Sequence, residues 1–515
     1  MEDRPHSFSR RWLLGALLSG AALPALAGAP ARSPRPEPRP GRLSAASSSG
    51  SARPAVPSAA ALVNEARLGG TVGFVVADAR SGAVLESRHA DTALPPGSVT
   101  KIFTTLYALD RLGPDYRFAT RLIATGPVID GRIQGDLILA GGGDPTLDTD
   151  ALGDLTTSLR AKGVRGVSGR FLFDASALPP IPEIDPGQPA QAGYNPGLSG
   201  LNLNFNRVYF EWKRGAEGYS ATMDARGLRY RPAVGGIDIA VVDRPAPLYT
   251  YGERGGKELW TVARGALGRG GGRWLPVRHP ARYTAEVFRT LAAAQSIALP
   301  APQPASLPGV PPGASGAGTV LASHRSAPLT EVLREMLKYS TNLTAETIGL
   351  TASAAGGTAP ASLSASAAQM ATWARDRYGI AAHFTDHSGL GSGTRVTAAE
   401  LVRLLAAANA NAPLRELLKT VRLRDARGRP IRNSPIQIRA KTGTLNFVSG
   451  LAGYVAAPGD TQLIFAILTA DVPRRDALPA SARERPPGGR SWLRRARHLQ
   501  QELITRWSTV YAGRN

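Results

Sequence analysis

The segment PPGSVTKIFTT, residues 95–105, places a hydroxyl and an amine where both could act on one bond. Ser98 and Lys101 stand at i and i+3, positions that share one side of an α-helix. A neutral Lys101 amine could accept the Ser98 proton, provided that burial or positive charge lowers the pKa of the lysine. The backbone N–H of Ser98, at the helix start, could stabilise an oxyanion. A polar N-cap before an ordinary helix would also account for these residues, so this pattern alone is weak evidence for catalysis.

A second polar group ends an amphipathic stretch in the segment MLKYSTNLTAE. Ser340 could relay a proton near Lys101, and the amide of Asn342 could bind a peptide group of a substrate. Taken alone, a helix stop followed by an N-cap explains Ser340 and Asn342 better than catalysis does.

A third group lies at the end of a predicted strand in RAKTGTLNFVSG. Lys441, Thr442 and Thr444 offer a cation and two hydroxyls, which suit a terminal carboxylate. Gly443 leaves the strand open to the approach of another backbone, and the N–H of Thr444 could be a second oxyanion donor. The alternative is an edge strand that turns a corner.

The predicted elements would hold these groups at helix and strand ends. Ser98 follows a predicted hairpin over residues 71–91 and begins a helix with apolar residues at helical spacing. Thr397 and Glu400 form a capping-box pattern at the start of a later helix. Residues from about 115 to 317 instead predict a β-rich region, and Pro302–Gly318 reads as a linker.

Order and length along the chain predict an α+β domain built from the two outer parts. Its antiparallel sheet would carry the C-terminal helix on one face and a helical group beside it.

Composition excludes several kinds of chemistry. The chain has no cysteine, which removes disulfides, thiolate nucleophiles and thiolate metal sites. Its seven histidines form no H-E-x-x-H motif, so a zinc peptidase is disfavoured and no cofactor is expected. The net charge of +22 favours polyanions, anionic membranes or acidic polymers, although the arginines are scattered. Nucleic acid is not expected as a partner, since RNA-recognition and zinc-finger motifs are absent.

The N-terminus predicts export. Residues 1–27 combine paired Arg10 and Arg11, a short apolar run and a small-x-small site, as in a secretory signal that also resembles a twin-arginine signal. The alternative is an uncleaved anchor. Residues 28–56 are rich in Ala, Pro, Arg, Ser and Gly and predict a disordered linker. These features predict a periplasmic protein, exported by the twin-arginine or Sec route.

The three motifs occur in the order S-x-x-K, S-x-N, K-T-G, and here the chain resembles the penicillin-recognising serine peptidases. Ser98 and Ser340 are 242 positions apart (340 − 98). This long gap is similar to that of the low-molecular-mass class C penicillin-binding proteins and unlike class A β-lactamases. The stretches LILAGGGDPTL, YNPGLSGLNLNFNRV, HSGLGSGTRVT and VSGLAGYV extend the resemblance over about residues 57–510.

The resemblance implies a β-lactamase/transpeptidase-like domain, with an antiparallel sheet and a helical cluster, interrupted by a large β-rich insertion. Residues 57–117 would form the first part of the peptidase domain and residues 318–515 the second, with the insertion over residues 118–317.

The resemblance also implies the chemistry. Members of this family are D-alanyl-D-alanine carboxypeptidases that often act as endopeptidases on peptidoglycan stem peptides, and β-lactams block their serine. Carried over to this chain, the catalytic residues would be Ser98, Lys101, Ser340 and Lys441. Substrate would be bound by Asn342, Thr442, Gly443 and Thr444, with no metal. Peripheral association with the membrane or the cell wall is compatible with the basic charge.

One departure concerns His387, which stands where the family usually has glycine in Asp-Gly-Ser-Gly-Leu. We expect a solvated loop histidine, although it could alter the rim of the site or its pH response. Three other interpretations stay open: a β-lactamase-like hydrolase, a non-catalytic cell-wall-binding scaffold, and a polyanion-binding basic protein.

Overall fold

The computed structural model describes residues 56–305, 318–411, 413–425, 427–479 and 482–513. The helices in these ranges are α1 (Ala59–Ala66), α2 (Lys101–Leu112), α3 (Thr149–Ala161), α4 (Pro280–Ala294), α5 (Leu329–Tyr339), α6 (Asn342–Ala355), α7 (Leu363–Tyr378), α8 (Ala398–Asn411), α9 (Leu414–Leu417), α10 (Val472–Asp476) and α11 (Gly489–Val510). None of these described helices is long and apolar enough to cross a membrane.

The strands in the same ranges are β1 (Thr71–Asp78), β2 (Val84–Arg88), β3 (Ala119–Ala124), β4 (Val128–Ile129), β5 (Arg132–Ile133), β6 (Leu137–Gly141), β7 (Gly166–Val167), β8 (Phe171–Asp174), β9 (Arg207–Gly215), β10 (Gly218–Asp224), β11 (Ile237–Val242), β12 (Tyr249–Arg254), β13 (Lys257–Ala263), β14 (Gly270–Pro276), β15 (Pro302–Pro304), β16 (Thr319–Arg325), β17 (Gln437–Leu445), β18 (Val448–Ala457) and β19 (Thr461–Ala470).

A five-stranded antiparallel sheet joins the two ends of the described chain in the order β17-β18-β19-β1-β2. Successive residues of a strand point to opposite faces, and both faces of this sheet are buried. Phe74 packs with α1 and α11 on one face, while its neighbour Val75 packs with α2 and α5–α8 on the other. The central strands are therefore apolar on both sides. The predicted α+β fold is confirmed, with β17 at one edge of the sheet.

The region between the two ends is β-rich and has its own core. A second five-stranded sheet has the order β15-β8-β6-β3-β16, and three three-stranded sheets accompany it. Helices α3 and α4 pack against these sheets around buried residues such as Leu155 and Phe288. The antiparallel pairing of β16 with β3 places residues 319–325 in this second sheet. The strand pairing thus favours a boundary after Arg325, rather than at residue 318, between the β-rich region and the second part of the peptidase domain. The division into domains stays a prediction.

The predicted linker Pro302–Gly318 is partly wrong. Residues 302–304 form the edge strand β15, which pairs in parallel with residues 171–173. An edge position tolerates proline because one side of the strand needs no N–H donor. Residues 306–317, the export segment 1–27 and residues 28–55 of the linker lie outside the described ranges.

Candidate active site

Ser98 lies where helix α2 meets the edge strand β17. A short 3₁₀ turn, Gly97–Thr100, leads directly into α2. The Ser98 residue is half-buried, whereas Lys101 is fully buried. A β-carbon built on Gly443 would collide with the carbonyl oxygen of Pro96 and would lie 3.2 Å from the Ser98 nitrogen. The backbone that approaches Gly443 is therefore the chain's own turn, which brings the serine against β17.

Lys101 has three hydrogen-bonding neighbours. Its Nζ lies 3.0 Å from Ser98 Oγ, and it donates to Asn342 Oδ1 at 2.8 Å and to the Ser388 carbonyl at 2.9 Å. The last two groups can only accept, so they take both hydrogens of a neutral amine. The remaining lone pair then faces Ser98 Oγ, which can donate its proton. The contacts thus match those required of a general base.

Burial accounts for the availability of that lone pair. Desolvation lowers the pKa of Lys101 from 10.5 to about 8, against the negative charges of Glu346 and Asp386, which raise it. The amine is consequently much easier to deprotonate than an exposed lysine.

Glu346 is a site residue that the sequence analysis missed. Its fully buried carboxylate accepts the backbone N–H groups of His387 at 2.9 Å and Ser388 at 2.8 Å. This fixes the loop whose Ser388 carbonyl accepts from Lys101. Burial, followed by the negative charge of Asp386, raises the pKa of Glu346 to about 8. Its position four residues after Asn342 on α6, one turn along the same face, is the signal that could have identified it.

Ser340 and Lys441 form a second serine–lysine contact. Ser340 ends α5 in the left-handed conformation, with φ 61° and ψ 37°. Lys441 Nζ donates to Ser340 Oγ at 2.9 Å and to the Thr442 carbonyl at 2.8 Å. Burial, and then the positive charges of Lys101 and Lys419, lower the pKa of Lys441 well below its usual value. The described hydrogen bond of the Ser340 side chain is thus with Lys441, while Lys101 is near enough to lower the pKa of that lysine.

The remaining predicted residues line the same place. Asn342 donates its amide N–H to the carbonyl of Tyr194 at 3.0 Å, so the β-rich region between the two ends contributes a contact to the site. A β-carbon on Gly97 would lie 3.2 Å from the Thr444 nitrogen, which places the Thr444 backbone beside the serine turn. All eight residues identified from the motifs are brought together by these contacts.

The hydroxyls of the edge strand contact two cations that sequence reasoning also missed. Lys419 donates to Thr442 Oγ1 at 3.0 Å, and Arg497 on α11 donates to Thr444 Oγ1 at 3.5 Å. Both cations are distant in sequence from the motif and belong to no recognisable pattern.

The expectation of a solvated His387 is wrong. The residue is fully buried, and its Nε2 lies 2.7 Å from Ser366 Oγ. Its ring is parallel to that of Tyr107, with centroids 6.3 Å apart. Gly349 on α6 allows this burial, because a β-carbon there would collide with the imidazole. Burial lowers the pKa of His387 to about 3.

Metal-binding side chains are not gathered anywhere in the described part of the chain. No group of three or more histidine or carboxylate side chains there could hold a metal ion.

The sheet with helices on both faces and the two serine–lysine contacts define the class of the penicillin-recognising serine peptidases. Residues 57–484 match the D-Ala-D-Ala carboxypeptidase 3 (S13) family, and the chain belongs to this family. It is 30% identical over 445 residues to the D-alanyl-D-alanine carboxypeptidase of Actinomadura sp. (strain R39), covering 79% of each protein.

Solved structures share the fold. The crystal structure of penicillin binding protein 4 (dacB) from Haemophilus influenzae matches with a TM-score of 0.69 at 20% identity, covering 87% of this chain and 99% of that one. Its complex with a novel β-lactam matches with a TM-score of 0.67 at 19% identity and the same coverage.

Proposed function

We propose that the chain is a serine-type D-Ala-D-Ala carboxypeptidase that acts on peptidoglycan stem peptides through an acyl-enzyme on Ser98. Family membership gives the reaction class. The observation that carries the assignment is the 3.0 Å contact of Lys101 Nζ with Ser98 Oγ, with the other two contacts of that amine made to acceptors.

Acylation begins when Ser98 Oγ attacks the carbonyl between two D-alanines and Lys101 takes its proton. General-base assistance of this kind contributes about 10²–10⁴ in rate. The N–H groups of Ser98 and Thr444 hold the oxyanion of the tetrahedral intermediate, where the loss of one donor costs about 10²–10³.

The leaving D-alanine needs a proton as its C–N bond breaks. Ser340, hydrogen-bonded to Lys441, is placed to deliver it. Water then attacks the ester, its hydroxyl joins the acyl group, and a proton returns to Ser98 Oγ. The Asn342 amide and the hydroxyls of Thr442 and Thr444 bind the substrate beside Gly443. A β-lactam that opens on Ser98 would leave the serine blocked.

A peptidoglycan substrate requires that the protein act outside the cytoplasm. Residues 1–27 support export to the periplasm, by the twin-arginine or Sec route. Association with the wall or with the membrane surface would draw on the net charge of +22.

Digestion of purified peptidoglycan tests the function. The enzyme should release free D-alanine, and the Ser98→Ala variant should release none. If cross-links are split and no free D-alanine appears, the assigned activity would have to change from carboxypeptidase to endopeptidase. Hydrolysis of benzylpenicillin with fast turnover would favour a β-lactamase-like hydrolase. An inactive wild-type protein that still binds sacculi would favour the scaffold.

A further inference from the structure

A cavity of about 710 Å³ opens within the β-rich region. It lies between the turn of the β9–β10 hairpin, the segment between β11 and β12, and the turn that follows β13. Its volume is in the range of small-ligand sites, about 300–1,000 Å³. The residues that line it include none of the three motifs. The cavity is therefore a candidate binding site separate from the one at Ser98.

The lining of this cavity is positively charged. Its ionisable acids and bases are Arg214, Arg244, Arg264 and Asp243, a formal charge of +2 (three arginines less one aspartate). Arg264 Nη2 donates to Asp243 Oδ2 at 3.1 Å, so these two charges largely compensate each other. The charges of Arg214 and Arg244 remain. Arginine stays protonated in proteins, so the cavity attracts an anionic ligand at any physiological pH.

Arg244 is held in place by acceptors that carry no charge. Its Nη1 donates to Thr261 Oγ1 at 2.6 Å and to Thr250 Oγ1 at 3.4 Å. Its Nη2 donates to the Thr261 carbonyl at 3.3 Å, and its Nε donates to the Pro247 carbonyl at 2.5 Å. These contacts fix the half-buried guanidinium without neutralising it. A bound anion would offset the cost of partly burying that charge.

Arg214 supplies free donors at the turn of the hairpin. Its backbone N–H donates to the Arg269 carbonyl at 2.8 Å, which fixes the base of the side chain. The side chain is exposed and has no hydrogen-bond or ion-pair partner within the described ranges. A guanidinium with free N–H groups suits bidentate binding of a carboxylate.

An apolar surface lies beside these charges. The Tyr219 hydroxyl donates to the Leu267 carbonyl at 3.2 Å, which orients the tyrosine ring, and both residues line the cavity with Pro245. Aromatic and apolar side chains add contact area for an organic ligand. The combination therefore suits an acidic saccharide or peptide better than an inorganic ion.

The sheet β10-β9-β14 connects the cavity to the surroundings of the active site. Arg273 on β14 donates to the Gln191 carbonyl at 3.3 Å, and the nearby Tyr194 carbonyl accepts from Asn342. Arg214 lies on β9, four residues (214 − 210) beyond the pairing partner of Arg273, or about 14 Å along the strand. One polymeric substrate can therefore reach both places.

We propose that this cavity is an exosite for peptidoglycan strands, where Arg214 and Arg244 bind carboxylates of stem peptides other than the one being cleaved. The exosite anchors the polymer and takes no part in the chemistry. The inference rests on the proposed function for the identity of the polymer and adds a second binding site.

The test compares a polymeric substrate with a short one. The first is a soluble, uncross-linked peptidoglycan strand, and the second is an acylated peptide ending in D-Ala-D-Ala, which occupies the active site alone. Arg214→Gln should raise KM for the strand about 10-fold, as the loss of a charge-assisted hydrogen bond predicts. The kcat/KM for the short peptide should stay at the wild-type value. Arg244→Gln should act in the same direction, and Arg214→Lys should retain part of the affinity because it keeps the charge.

The matched control is Arg231→Gln, since Arg231 is an exposed arginine of the same region that does not line the cavity. It should leave both substrates unaffected. An unchanged KM for the strand in Arg214→Gln, or an equal loss on the short peptide, would overturn the inference. Displacement of strands by a glycerol phosphate polymer but not by stem peptides would also overturn it, by assigning the cavity to phosphate.

Strand binding to the Ser98→Ala variant separates this inference from the proposed function. Binding to that variant, weakened about 10-fold by the added Arg214→Gln substitution, would support the exosite without any turnover. If the wild-type protein releases no D-alanine from either substrate, the proposed function fails whatever this binding shows.

Discussion

The ammonium nitrogen of Lys441 lies 2.9 Å from the hydroxyl of Ser340, across 101 positions of sequence. The contact joins the edge strand β17 to the end of α5. It repeats the geometry of Lys101 and Ser98, which lie 3.0 Å apart at the start of α2. Each half-buried serine faces a buried lysine with a lowered pKa. The two contacts provide separate groups for two proton transfers. Lys101 can accept the proton of Ser98, and Ser340 with Lys441 can supply the proton that the leaving amine needs.

Removal of the Lys101 amine should slow acylation. Lys101→Met deletes the group facing Ser98 Oγ, and we expect the rate of acylation by a penicillin to fall about 10²–10⁴-fold. The rate is measured by stopped-flow fluorescence with a labelled penicillin. Lys338→Met is the control, because that lysine is exposed and its described contacts are with Glu335 and the ring of Tyr339. A Lys101→Met variant that acylates at the control's rate would exclude Lys101 as the base.

The pH dependence of acylation should follow the pKa of Lys101. Only the neutral amine accepts a proton, and burial brings its pKa to about 8. The rate should therefore rise with pH through about 8 and be small below neutrality. Measurement of kcat/KM against pH gives the midpoint for the free enzyme. A rate that falls as pH increases over that range would contradict the assignment.

Replacement of the buried carboxylate should destabilise the loop that supports Lys101. In Glu346→Gln, one of the two backbone N–H groups would face an amide NH₂ rather than an oxygen. An unsatisfied buried donor costs about 1–3 kcal/mol, so the free energy of unfolding should fall by that amount in urea titration. Glu335→Gln, at an exposed ion pair, should change it by less than about 1 kcal/mol. Equal effects of the two substitutions would show that Glu346 does not hold the loop.

Burial of His387 should make the protein sensitive to acid. Its folded-state pKa of about 3 lies below the ordinary 6.5, so the unfolded chain binds the proton first as pH falls. Stability from this group is complete above pH 6.5 and decreases between 6.5 and 3, by at most about 1.4 kcal/mol per pH unit.

His387→Asn should reduce the dependence of the unfolding free energy on pH in that window. His498→Asn, which replaces a side chain 72% exposed, is the matched control for a histidine outside the core. The comparison uses the pH slope, so loss of packing in His387→Asn does not obscure it. Identical slopes for all three proteins would mean that folding does not lower the pKa of His387.

Local patterns predicted the parts of the fold that short segments determine. The Thr397–Glu400 capping box is present, with reciprocal hydrogen bonds of 2.8 and 3.0 Å. Ser98 lies in the 3₁₀ turn that leads into a buried helix after a hairpin, close to the helix start that the apolar spacing indicated. The order of the three motifs led to the correct fold and family.

What the sequence did not reveal depends on contacts between distant segments. In the sequence, Glu346 and Lys419 look like ordinary charged residues. Their roles depend on contacts with distant segments: the loop at residues 386–391 for Glu346 and the edge strand for Lys419. Burial of His387 required the space left by Gly349, and no local pattern around the histidine encodes that space.

Mass spectrometry of the protein after reaction with fluorescent penicillin tests the central claim most directly. A single adduct with the mass of the intact penicillin should be found on the peptide that contains Ser98. Ser98→Ala should carry no adduct, while Lys338→Met should be labelled like the wild type. An adduct on another residue, or undiminished labelling of Ser98→Ala, would contradict the assignment of Ser98 as the nucleophile.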